Sequence, residues 1–215
     1  MSLTLYFHPL SSFCHKVLIA LYENDTPFEG RIVNLMDENE RGDFVKIWPF
    51  GKFPVLRIED EDRTIPESSI IIEYLDQHHP GPTRFIPSDP DLARQMRFRD
   101  RFYDLYLHVP MQKVVTDKLR PPGKNDPHGV EAAKKELATS LGLIEQDIAD
   151  KTWAMGDTFS MADCAAAPPL FYTNMLQPFG DTHPKTAAYL QRLMDRPSYA
   201  RALEEAQPYF AMIPR

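Results

Sequence analysis

Three short stretches of the sequence hold side chains whose types and spacing could do chemistry. The first is Ser11-Ser12, with Cys14 close behind, in a loop opened by Pro9. A hydroxyl at a helix start can donate a hydrogen bond to a thiolate. That favours the charged form and lowers a thiol pKa from its usual ~8.5. Either serine could equally be no more than the helix N-cap. Cys14 reads as a nucleophile or as a small packing residue, and packing is preferred because no partner cysteine lies two or three residues away.

The second stretch is Phe53-Pro54, at the mouth of the apolar run Val55 to Ile58. A proline there cannot donate to a strand ladder, so it sits on an edge or its peptide bond is cis. A cis bond would present the Phe53 backbone N–H and C=O to an extended peptide, which could pair as an added strand. The third stretch is Pro66-Glu67-Ser68-Ser69 ahead of Ile70, Ile71, Tyr74 and Leu75. A serine at a helix start, with free backbone N–H groups and the positive dipole end behind it, makes a carboxylate site. Glu67 could hold an ammonium group, so the pair would suit an amino-acid zwitterion. Taken alone, Ser68 as a plain cap explains the stretch as well.

The elements that must position these residues follow from hydrophobic spacing. Leu3 to Phe7 is β-prone, and Phe13, Val17, Leu18 and Leu21 recur at helical spacing. Arg31 to Leu35 reads as a strand, Glu38 to Ile47 as an irregular helix, and Val55 to Ile58 with Arg63 to Ile65 as a hairpin around an acidic turn. Ser68 onward is a helix. The pattern is βαβαββα over residues 1–79, followed by a proline-rich linker at 80–91 and an all-helical part at 92–215. Helices are predicted at roughly 92–119, 128–150, 160–178 and 183–206, with Pro168-Pro169 kinking or interrupting the third. Ser160 with Asp163 three residues on is a capping box and is read as structural.

Bulk properties narrow the function classes. The chain has 215 residues, 43% of them hydrophobic, enough for a sizeable core. Its net charge of −7 and lack of a basic run argue against nucleic acid as a partner. Two cysteines support neither a disulfide framework nor a zinc cluster, so no metal site is expected and a reducing, cytoplasmic setting fits. No segment reads as an export signal or a membrane span.

Together, Leu5-Tyr6-Phe7, Ser11-Ser12, Gly51-Lys52-Phe53-Pro54-Val55-Leu56, Pro66 to Leu75 and Gly156 to Asp163 strongly resemble the cytosolic glutathione transferase superfamily, in a serine-type, bacterial-like form. The resemblance covers nearly the whole chain. It implies an α/β plus all-α fold, a thioredoxin-like glutathione-binding domain followed by a helical bundle, and glutathione as co-substrate. It further implies a cis bond at Pro54, Phe53 backbone pairing with the cysteinyl part of glutathione, and Glu67 and Ser68 at its γ-glutamyl end. Lys52, with Arg41, becomes a candidate for the glycyl carboxylate or the rim. Ser11 is the expected thiol activator, followed by Ser12 and then Cys14, while Tyr6 is expected to be non-catalytic. Phe13 stands where the maleyl-isomerase signature has cysteine.

A hydrophobic electrophile is expected between the Pro9 to Phe13 loop and the first bundle helix, which carries Arg99, Phe102, Tyr103, Tyr106, Leu107, His108 and Met111. A homodimer with a detoxifying transferase activity is the implied whole. Two alternatives stand beside it: a non-catalytic binding module on the same fold, and a Cys14-dependent thiol-disulfide reductase.

Overall fold

The structure, a computed structural model, describes residues 2–213. Its internal contacts divide the chain into two compact units. The first runs to Phe85 and takes back Pro197–Phe210; the second is Ile86–Arg196 with the residues from Ala211.

The first unit is built on a four-stranded sheet in the order β2-β1-β3-β4. Strand β1 (Leu3–Phe7) is buried along its whole length, as a central strand covered on both faces must be. It pairs parallel with β2 (Glu29–Ile32) and antiparallel with β3 (Val55–Ile58), which forms a hairpin with β4 (Arg63–Pro66). The acidic stretch between β3 and β4 is a 3-10 turn at Glu59–Glu61, closed by Asp62 in the left-handed region. Helix α1 (Ser12–Glu23) makes the crossover between the two parallel strands, which need a long connection. Its residues from Cys14 to Leu21, His15 and Lys16 included, are buried. Helix α2 (Glu38–Ile47) is polar and anchors through Phe44, which packs with Tyr6, Val33 and Val55. The Asp37 side chain caps it by accepting from the Asn39 and Glu40 amides. Helix α3 (Ser68–His78) completes the βαβαββα order that the spacing predicts.

The second unit is helical. Helix α4 (Pro90–Phe102) runs through a π-helical turn at Tyr103–His108 into α5 (Val109–Asp117), where the periodicity predicts one continuous helix. Helices α6 (Pro127–Asp147), α7 (Met161–Leu176) and α8 (Pro184–Asp195) follow. Pro168 and Pro169 lie inside α7, which continues past them, so they do not interrupt it.

The predicted last helix at 183–206 is in fact two. Arg196 is extended and Pro197 opens α9 (Pro197–Ala206), because proline fits the first turn of a helix but not its interior. Helix α9 belongs by its contacts to the first unit and packs against α1. The His15 and Tyr199 rings meet edge to face at 6.0 Å, Ser198 Oγ donates to Glu23 at 2.7 Å, and the Arg201 guanidinium lies 3.9 Å from the centre of the Tyr22 ring. Tyr22 also donates its hydroxyl to Glu205. Among the described residues, no helix is long and apolar enough to cross a membrane.

Candidate functional site

Ser11 is the N-cap of α1, with extended backbone (φ −76°, ψ 117°). A tight turn sets it there, its amide donating to the His8 carbonyl at 2.9 Å. Its hydroxyl oxygen accepts a long 3.4 Å bond from the Cys14 amide. That contact uses a lone pair, and the hydroxyl also bonds the Cys14 thiol, a weak acceptor. Ser11 is half-buried, so the group remains approachable. Ser12 is the first helical residue and is likewise half-buried.

Cys14, one turn into α1, is fully buried, and burial pushes its thiol up to about 12 against the weaker pull of the Ser11 and His8 hydrogen bonds. A thiol in that state is neither accessible nor ionised near neutrality. Tyr6 points into the first unit's core, where its hydroxyl accepts from Arg31 at 3.3 Å.

The Phe53–Pro54 peptide bond is cis. Phe53 lies outside the strand ladder, whose pairing begins at Val55 opposite Pro66. Pro54 itself is buried, while Lys52 beside it is exposed. Arg41, in the first half of α2, is exposed as well.

The expected Ser68 cap takes a different form. Glu67 holds the N-cap position of α3, with φ 70° and ψ 118° and no side-chain cap bond, and Ser68 is the first helical residue. A non-glycine residue at positive φ costs on the order of 1–3 kcal/mol, and such strain tends to collect at functional sites. The geometry leaves the Glu67 side chain exposed and brings the buried Ser68 to the dipole end of α3. Behind it, buried Lys16 from α1 donates to Ser69 Oγ at 2.9 Å, tying the two helix starts together.

Two rings missed in the sequence stand beside this cluster. His8, the residue after β1, stacks on Phe53 (6.1 Å between centroids, 18° between planes) and meets Tyr209 edge to face at 5.5 Å. Tyr209 comes from the 3-10 turn Gln207–Met212 after α9. A histidine wedged between a strand end and Pro9 was a usable signal for the first; nothing local marked the second.

In the helical unit, a cavity of about 230 Å³ is lined by Phe98, Phe102, Tyr103, Leu143 and Ile144 together with the Arg99–Asp147 ion pair. Arg99 binds Asp147 with both terminal nitrogens, one of them at 2.9 Å. Burial works to raise the Asp147 carboxyl, but Arg99 and Lys151 hold it below the usual carboxylate range. Of the other aromatic-stripe candidates, Leu107, His108 and Met111 are core residues, whereas Tyr106 is exposed. Among the described residues, no group of three potential metal ligands converges.

Two family models match the chain: "Glutathione S-transferase, N-terminal domain" over residues 5–83 and "Glutathione S-transferase, C-terminal domain" over residues 102–197. The chain is 31% identical to human glutathione S-transferase theta-1 over 209 residues, covering 90% of this chain and 82% of that one. It is 26% identical to the stringent starvation protein A homolog of Coxiella burnetii, covering 95% and 93%. Among solved structures, a glutathione S-transferase from Methylobacillus flagellatus, crystallised with glutathione bound, superposes with a TM-score of 0.85 at 25% identity, covering 94% and 98%.

Proposed function

The chain belongs to the glutathione S-transferase family, and on that premise we propose that it binds glutathione and directs its thiolate at an apolar electrophile, with Ser11 as the activating group. The observation that carries this reading is the hydroxyl at the start of α1, half-buried and bonded within the protein to the Cys14 amide at 3.4 Å and to the Cys14 thiol, a weak acceptor that a sulfur anion would outcompete. Such a bond favours the thiolate and lowers the thiol pKa. Ser12 is second in line.

Three further features support a glutathione seat. The Phe53 backbone, just beyond the strand ladder, can pair with the cysteinyl residue as an added strand. Ser68 at the N-terminus of α3 suits the γ-glutamyl carboxylate, and the exposed Glu67 suits its ammonium. The exposed Lys52 suits the glycyl carboxylate. Pro54 takes no part beyond shaping this corner. In the reaction the sulfur electron pair forms a bond to the electrophilic carbon, either displacing a leaving group or adding to a conjugated double bond. The protein supplies position and charge stabilisation.

The reading includes a homodimer, cytoplasmic and detoxifying. The exposed apolar Phe98 and Leu143 offer a surface for a second copy, and both cysteines are buried thiols outside any disulfide, as suits a reducing compartment. The test is an ultraviolet titration of glutathione bound to the protein. The thiol pKa should fall well below ~8.5 in the unsubstituted chain and return toward it in Ser11→Ala. An unshifted pKa, or no change in Ser11→Ala, removes Ser11 from the role.

A second reading, a non-catalytic module on the same fold, is favoured by the similarity to a stringent starvation protein A homolog. Glutathione binding without conjugation of any electrophile would establish it. The Cys14 reductase alternative loses support from the burial of that thiol. Cys14→Ala should keep its turnover.

A further inference from the structure

The His8 imidazole is set up as a hydrogen-bond donor by its own loop. The Leu10 amide donates to His8 Nδ1 at 3.2 Å, so Nδ1 carries no proton. A neutral ring with Nδ1 as acceptor must hold its proton on Nε2, across the ring. Burial, which lowers the His8 pKa, keeps the ring in that neutral form. Two other contacts fix its plane. It stacks on Phe53, whose backbone is the proposed seat of the cysteinyl residue, and it meets the Tyr209 ring at 71°. Stacked and edge-on aromatic neighbours restrain a ring in both tilt and position. The same turn continues to Ser11 through the Ser11 amide and the His8 carbonyl, so the imidazole and the proposed thiol activator are three residues apart on one hydrogen-bonded turn.

Resting on the glutathione transferase reading, we infer that His8 is a specificity-determining residue for the second substrate. Its Nε2–H binds the oxygen of a flat, conjugated carbonyl electrophile, held in the corner that the His8 and Tyr209 rings make. The chemistry selects that class. When a thiolate adds to an α,β-unsaturated carbonyl, the sulfur pair forms the C–S bond at the β-carbon. The C=C pair shifts, and the carbonyl oxygen takes the charge as an enolate. A proton from water then reaches the α-carbon, and Nε2 keeps its own proton throughout. A donor fixed beforehand at the developing oxyanion lowers that barrier. When a thiolate displaces halide from an alkyl carbon, the charge leaves on the halide and no oxygen needs a donor. The two reactions therefore respond differently to loss of the Nε2 proton, whereas loss of ring packing affects both.

The experiment compares kcat/KM for a flat conjugated enone and for a benzylic halide, with glutathione affinity measured by calorimetry in each variant. His8→Phe keeps an aromatic ring and removes the donor; His8→Gln removes the ring and can place an amide N–H near the Nε2 position. The enone-to-halide ratio should fall roughly 10- to 100-fold in His8→Phe and recover most of that loss in His8→Gln. A ratio unchanged in His8→Phe, or equally reduced in both variants, overturns the assignment of His8 while glutathione still binds. Failure of the unsubstituted protein to bind glutathione overturns the transferase reading and this inference with it.

Discussion

Two serines each open a helix in this chain, Ser11 at α1 and Ser160 at α7, and their hydrogen bonds set them apart. Ser160 is buried, and everything around it is saturated. Its amide and hydroxyl both donate to Asp163 Oδ2, at 2.9 and 3.0 Å, while Asp163 Oδ1 accepts from the Ala154 amide and the Tyr189 hydroxyl, each at 2.7 Å. Four donors converge on one buried carboxylate, joining a loop, a helix start and α8. Ser11 by contrast is half-buried, and its side chain meets the Cys14 amide at 3.4 Å and the weakly accepting Cys14 thiol in place of a carboxylate. Position at a helix start is common to both. What divides a structural serine from a chemical one is how strong an acceptor the fold has already given its proton.

That contrast can be broken most severely at Asp163. Asp163→Ala leaves several buried donors without an acceptor and should cost about 3–5 kcal/mol of stability in urea unfolding. The fraction that still folds should turn over at the normal rate per site; a specific loss of kcat would erase the distinction. Next in size is Ser11→Ala, which should lower kcat/KM about 100-fold, close to 3 kcal/mol of transition-state stabilisation, while stability moves by about 1 kcal/mol or less. Parallel losses of stability and rate would make Ser11 a second Ser160.

The pH dependence sharpens the picture around α1. His15, one turn beyond Ser11, is fully buried and donates its Nε2–H to the Pro9 carbonyl at 2.5 Å; burial lowers its pKa to about 4. The unfolded chain, with an ordinary imidazole near 6.5, binds more protons than the native state between those values. This group's contribution is therefore intact above pH ~6.5 and is lost progressively as pH falls toward ~4, by about 2 kcal/mol at pH ~5. Denaturant unfolding across that range should show the slope, and His15→Gln should flatten it. The smallest effect belongs to Ser160→Ala, about 1 kcal/mol with kcat unchanged, because Asp163 keeps its other donors.

Much of this was legible in the residues. Period-two and helical spacing marked the βαβαββα order, and a proline at a strand mouth narrowed Phe53–Pro54 to two geometries, of which the structure has the cis one. The capping box at Ser160 was readable because both members lie within four residues. Features that depend on tertiary approach were not. The apolar repeat carried on from Leu190 and Leu193 to Tyr199 and Ala202, masking the break at Arg196 and the change of unit. Glu67, not Ser68, became the cap because the chain leaves β4 at positive φ, which no propensity encodes. The contact of His8 with Tyr209 spans nearly the whole chain, and neither residue carries a local sign of the other.

The return of α9 to α1 has a consequence for how the molecule is made. The ribosome releases the sheet and its first helix early, yet the surface around His15, Tyr22 and Glu23 gains its cover only when Tyr199, Ser198 and Arg201 emerge. The nascent amino-terminal part must wait, one flank bare, until Pro197–Ala206 has been made.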